Sequence, residues 1–172
     1  VIAYLSMKDG STTTFFNVGV KTILTTAEIK NGVIKNSNGV QLLKLFNIDP
    51  NVFCDVFNKK LNKGYSVDVW GKMSQTQKIN LQNLLASGIG NGYHVIHKMK
   101  GKIYSYKVDS DYMAKASKPT SCKIYYGGLT GTGRRIDMVI ETPKYVLKLN
   151  IRDTQGGDGY PTRMMCDFTL KG

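Results

Sequence analysis

The chain carries few groups that do chemistry unaided: two histidines, three cysteines, and 12 acids against 24 lysines and arginines. Candidates are therefore picked out by position. Lys8 closes an apolar run, V-I-A-Y-L-S-M-K, which Asp9-Gly10 ends as a strong turn pair. As a strand, this run places Ile2, Tyr4, Ser6 and Lys8 on one face and Val1, Ala3, Leu5, Met7 and Asp9 on the other. Lysine is rarely fully buried without a partner or a task. Lys8, with Ser6 two residues before it, is therefore the first candidate; the alternative is a strand-end lysine whose ammonium snorkels into water.

The second half holds the other candidates. Lys98, Lys100 and Lys102 cluster at one hairpin, with Tyr104 and Tyr106 following. Arg134 and Arg135 follow L-T-G-T-G. A glycine-rich loop beside arginine lets the backbone approach a phosphate and supplies bidentate donors, or it is simply a hairpin connection. The stretch N-I-R-D-T-Q-G-G-D-G-Y-P-T-R, from Asn150 to Arg163, brings Arg152 and Gln155, side-chain types that read guanine and adenine edges, beside Gly156-Gly157. Its alternative is an Asp/Gly-rich loop carrying ordinary surface arginines.

Other constellations are weaker. His94 and His97 lie three apart on an extended segment and face opposite sides, which argues against a shared metal. Asp137 and Glu141 share a strand face and can take a divalent cation or stay solvated. Asp109 and Asp111 are better read as helix-start caps. The glycines Gly88, Gly90 and Gly92 lack the strand-before, helix-after setting of a dinucleotide loop, and no Ser/His/Asp or Cys/His signature is present.

The pattern hydrophobic run, S-M-K, D-G-S resembles the second core strand of type II restriction endonucleases of the PD-(D/E)XK nuclease class. Matched residue by residue, Lys8 falls on that family's catalytic lysine, and Ser6 on the position usually held by Glu or Asp. The segment after Asn150 is similar to the closing strand, Q/R-rich Gly-Gly turn and final apolar strand of several such enzymes. The resemblance implies a restriction-endonuclease-like core and Mg²⁺-dependent hydrolysis of DNA phosphodiesters. Lys8 would activate the attacking water, and Ser6 would assist the metal. The family's metal-binding Asp lies upstream of this strand, so the metal ligands stay unassigned. The chain is expected to be one domain, residues 1–172, from a longer polypeptide that carries the missing N-terminal portion.

The charge points the same way. An excess of +12 with pI ≈ 9.6 favours a polyanionic partner, nucleic acid before an acidic membrane. Cys54, Cys122 and Cys166 show no paired spacing, which disfavours structural zinc and suits a reducing, cytoplasmic compartment. No apolar run approaches the roughly 18–20 residues needed to span a bilayer.

The elements that must position these groups are legible in outline. Val40 to Phe46 reads as a short helix. Pro50 to Leu61 reads as a second, capped by Asp49, with Val52, Phe53, Val56 and Phe57 apolar. Ser74 and Gln77 form a capping box for a third, striped by Ile79, Leu81, Leu84 and Leu85 and stopped by Gly88. Asn31-Gly32 suits a tight hairpin turn. After Gly88 the period becomes twofold: strands over Tyr93–His97, Lys102–Val108, Cys122–Tyr126, Arg134–Glu141, Tyr145–Ile151 and Arg163–Leu170, with a helical turn or two from Ser110. The expected fold is α+β, with helices in the first half and a mostly antiparallel, mixed sheet in the second.

The expected function is a Mg²⁺-dependent DNA endonuclease. Lys98, Lys100, Lys102, Arg134, Arg135, Arg152, Gln155 and Arg163 would grip double-stranded DNA, and a homodimer is allowed. The competing readings are a non-catalytic nucleic-acid-binding protein and a viral or phage structural protein with a basic face.

Overall fold

The computed structural model describes residues 3–5, 12–17, 26–35, 37–89, 94–128, 133–152 and 165–171. For 3–5, 12–17, 26, 37, 97–99 and 165–170 it describes the backbone alone. The fold is α+β. The described helices of the first half are α1 (Thr26–Asn31), α2 (Ser37–Leu45), α3 (Pro50–Phe57) and α4 (Gln75–Ile89). α5 (Ser110–Ser117) lies between strands of the second half.

Strands β1 (Ala3–Leu5), β4 (His94–Met99) and β5 (Lys102–Lys107) make a three-stranded sheet in the order β1-β4-β5. β1 pairs parallel to β4, and β4 antiparallel to β5 through a turn in which Lys100 and Gly101 both take positive φ. The larger sheet is antiparallel throughout. Its order is β2-β9-β8-β7-β6-β3, built from β2 (Thr12–Asn17), β3 (Tyr65–Asp68), β6 (Ser121–Tyr126), β7 (Arg135–Glu141), β8 (Tyr145–Arg152) and β9 (Met165–Leu170). Four of its strands come from the second half and two from the first.

Alternation decides which face of this sheet is core. Cys122, Ile124 and Tyr126, then Ile136, Met138 and Ile140, then Tyr145, Leu147, Leu149 and Ile151 are all buried. Residues of one parity share a face, so these ten form a continuous apolar wall. α3 lies against β7 on it, and α4 packs on β2 and α5. Phe53, Phe57, Leu81, Leu85 and Ile89 are buried with it in one cluster.

Local chemistry sets the helix ends. Asp49 accepts from the Asn51 N–H at 2.7 Å, with Pro50 at the first helical position. Ser74 and Gln77 close the capping box in both directions, at 2.7 and 3.1 Å. Asp109 caps α5 through the Tyr112 N–H at 2.9 Å. α1, α2 and α3 then end alike: a residue at φ 70° (Gly32), 53° (Asn47) or 59° (Lys59), flanked by the two reverse bonds of a Schellman motif.

Four expectations need correction. Asn31-Gly32 is a helix terminus rather than a hairpin turn; the Val33 N–H returns to the Glu28 carbonyl at 3.1 Å. α3 stops at Phe57 because Lys59 turns left-handed, well before Leu61. Gly88 does not stop α4, which runs on to bury Ile89; its buried stripe is Leu81, Leu85 and Ile89, at a spacing of four. Ile79 is 49% exposed.

Candidate nucleic-acid interface

The opposite face of the six-stranded sheet is polar, and its register determines what meets. Tyr125 stands opposite Asp137, which stands opposite Asn150; Lys123 stands opposite Val139, and Val139 opposite Lys148. At the end of the row Arg135 faces Arg152 directly. Three neighbouring strands thus bring Lys123, Arg135, Lys148 and Arg152 to the face that carries the half-buried Tyr125, and the outer strands set Asp68 opposite Lys123 and Asp167 opposite Lys148. Lys123 Nζ lies 5.4 Å from the centroid of that ring.

Asp137 organises this end. Its side chain is 1% exposed and accepts Arg135 Nε at 2.8 and 3.0 Å. The ion pair sits under Gly128, which takes φ +80°. A Cβ there would stand 3.1 Å from Arg135 Cδ and 3.2 Å from Asp137 Oδ2. Only glycine allows the backbone this close in this conformation. The expectation of a solvated Asp137 is therefore corrected: it is an interior carboxylate that fixes a guanidinium. Glu141 is exposed at the other end of β7, about four strand residues or ~13 Å away. No group of three or more His, Cys, Asp or Glu that can hold a metal occurs among the described residues.

Arg134 does different work. Its Nε donates to the Phe57 carbonyl at 2.7 Å, the last carbonyl of α3. The preceding carbonyls of Cys54, Asp55 and Val56 accept the N–H groups of Asn58, Lys60 and Lys59. The C-terminus of α3 is thus fully supplied with donors, the last from 77 residues away.

Of the residues expected to grip nucleic acid, the six-stranded sheet unites Arg135 and Arg152, while Arg134, next to Arg135 in sequence, reaches the end of α3 instead. Lys100 and Lys102 are exposed on the β4–β5 hairpin, with the Lys98 backbone in β4, so they belong to the other sheet. The far end of that hairpin reaches Tyr106, 5.7 Å from Tyr112 between centroids, and Tyr112 hydrogen-bonds Tyr145. Tyr145 opens β8, whereas Arg152 closes it. The two basic sets are separate. Lys8, Ser6, Gln155 and Arg163 lie outside the described residues.

The Tyr106–Tyr112–Tyr145 cluster also holds Lys144, whose Nζ sits 3.6 Å from the Tyr106 centroid. Burial lowers the Lys144 pKa, Lys115 adds to the shift, and Asp111 opposes it. Burial pushes Tyr112 up to about 12, and Tyr145 higher still. Burial therefore keeps both phenols protonated at neutral pH.

Lys123, Tyr125 and Lys148 were not singled out from the sequence. S-C-K-I-Y-Y does alternate, which sets Lys123 and Tyr125 opposite Cys122, Ile124 and Tyr126. The cross-strand register that joins them to Arg135 and Arg152 has no local signal. No protein-family profile, curated protein or solved structure matches the chain.

Proposed function

We propose that this chain binds nucleic acid through the polar face of its six-stranded sheet, at the Arg135–Arg152 end. The observation that supports this most is that Lys123, Arg135, Lys148 and Arg152 share one face with Tyr125; Asp137 is buried and tied to Arg135, and Asp68 and Asp167 stand opposite Lys123 and Lys148, which leaves the Arg135–Arg152 end the most basic. Cations on a sheet track phosphates, and an aromatic ring on the same face offers a base a surface to stack on. The net charge of +12 extends the attraction beyond this face. Among the described residues, no helix is long and apolar enough to cross a membrane.

The endonuclease reading adds catalysis to binding. It rests on S-M-K-D-G-S, which follows the last residue of β1 in sequence, and assigns Lys8 and Ser6 to a Mg²⁺ site acting on double-stranded DNA.

Fluorescence anisotropy with a DNA duplex over a salt series tests binding. Arg152→Ala and Lys123→Ala should each weaken it and lower the slope of log K against log salt by about 1. Unchanged affinity in both variants would remove this face from consideration. Plasmid cleavage with Mg²⁺ tests catalysis: Lys8→Ala should abolish cutting and spare binding. Equal cutting by both proteins sinks the Lys8 assignment, and binding without cutting by wild type leaves a binding module.

A further inference from the structure

A cleft of about 320 Å³ opens where the end of α3 meets the turn between β6 and β7. Lys59 and Arg134 line it, together with Leu61, Gly64, Gly127 and Gly133; among the described residues no acid lines it. A helix C-terminus ordinarily repels anions through its exposed carbonyls. Here the carbonyls of Cys54, Asp55, Val56 and Phe57 all accept donors, so that end is covered. At Gly133 a Cβ would meet nothing within 4 Å, so the wall there is bare backbone facing open space.

Two of the lining glycines adjoin an aromatic pair in sequence. Gly64 precedes Tyr65, and Gly127 follows Tyr126; the two rings lie 4.8 Å apart between centroids, tilted 30°. Tyr126 is buried, and burial raises its pKa to about 12, which keeps it neutral. Tyr65 is 44% exposed, so it presents ring surface to solvent.

From these features we infer that the cleft is a nucleotide subsite for a strand-terminal phosphate. Lys59 and Arg134 hold the phosphate, and the base stacks on Tyr65. Charge-assisted donors around a bare glycine wall suit a phosphoryl group. A volume near the lower end of the roughly 300–1,000 Å³ typical of ligand sites suits one nucleotide rather than two. The assignment to a strand end rests on the nucleic-acid reading above; the phosphate chemistry of the cleft does not.

The test uses the full chain and short oligonucleotides carrying a 5′-phosphate, a 3′-phosphate or neither, read by anisotropy, plus titration with adenosine monophosphate. Arg134→Ala also uncaps α3, so the informative variants are Lys59→Gly and Lys59→Asn. Both remove the charge and suit the left-handed backbone at φ 59°. Wild type should prefer one phosphorylated oligonucleotide by about tenfold, the scale of one charge-assisted contact. Both variants should lose that preference, and Tyr65→Ala should weaken adenosine monophosphate. Oligonucleotides that bind wild type with no phosphate preference, a preference that survives both Lys59 variants, or no binding of either oligonucleotide or adenosine monophosphate overturns the subsite. If adenosine monophosphate binds and Lys59→Gly loses it while no oligonucleotide binds, the subsite stands and the nucleic-acid reading falls. If Arg152→Ala weakens all oligonucleotides yet wild type shows no phosphate preference, the reverse holds.

Discussion

Lys59, like Lys100, is a lysine at positive φ, and replacing it gives a stability test with a definite sign. It occupies the left-handed position after α3 at φ 59°, where its own N–H reaches Val56 at 3.3 Å and the Lys60 N–H reaches Asp55 at 2.8 Å. A side chain with a Cβ costs about 1–2 kcal/mol there. Glycine avoids that cost but releases about 0.5–1 kcal/mol more backbone entropy on unfolding. Lys59→Gly should therefore be more stable than Lys59→Ala by about 0.5–1 kcal/mol, although ordinary helix propensity ranks them the other way. Comparing these two removes the charge from the argument, since both lose the ammonium near the α3 carbonyls. For a chain of 172 residues the difference corresponds to about 1–4 °C in Tm. Urea unfolding with equal m-values is the cleaner assay. Asn47, at φ 53°, is the control: asparagine tolerates this region, and its Oδ1 accepts Gln77 Nε2 at 2.7 Å, so Asn47→Gly should bring no gain. An alanine at 59 as stable as the glycine would refute the strain argument.

Burial holds the Tyr112 and Tyr126 phenols neutral, with pKa values raised from 10.0 to about 12. Their contribution is complete below pH 10 and is lost as pH rises towards 12, so the urea midpoint should fall in that window; a flat profile would contradict it. Tyr112→Phe removes one hydroxyl from the buried pair with Tyr145 and should cost about 1–2 kcal/mol in urea unfolding. Burial, reinforced by Asp68, raises the Cys122 thiol to about 12, and burial also raises Cys54. Alkylation at pH 8, mapped by mass spectrometry, should spare both until the chain unfolds; rapid native labelling of either would show its burial to be wrong. Arg152→Glu exchanges a like-charge cross-strand pair with Arg135 for an opposite one, and should stabilise the fold by about 0.2–1 kcal/mol in low salt while weakening nucleic-acid binding more than Arg152→Ala does. Destabilisation with retained binding would reverse both assignments.

Much of the fold was legible because its signals are local. Asp49-Pro50, the Ser74–Gln77 box and Asp109 are chemical statements about single helix starts, and all three hold. The twofold alternation of β7 and β8 located the core face, since burying one parity of each strand leaves no other arrangement. Helix ends were misread where the stop is a backbone conformation, at Asn31-Gly32 and Lys59; lysine carries no left-handed signature. Asp137 was misread for another reason. Parity placed it correctly on the polar face, but its burial depends on Gly128 folding over it, which parity does not encode. The candidate site was half legible: Arg135 and Arg152 were named, yet their meeting depends on a register set by β7 and β8 together.

The sequence reads Arg134 and Arg135 as phosphate donors and Arg152 as a reader of base edges, and the structure divides their labour differently. A guanidinium has five N–H donors in a planar fork, so one edge can anchor within the protein while the charge stays at the surface. Arg134 gives its Nε to the end of α3, and Arg135 gives its Nε to Asp137. Lysine, a point charge on a flexible stem, would have to choose between anchoring and contact. Arg152 has no carboxylate partner among the described residues, yet it stands opposite Arg135, an arrangement that costs stability in a sheet. Asp137 neutralises Arg135, so the charge of the exposed Arg152 remains at the end of the sheet. Folding alone would favour an acid at 152. A surplus cation held beside an immobilised guanidinium is the arrangement that a phosphate, rather than the fold, would use.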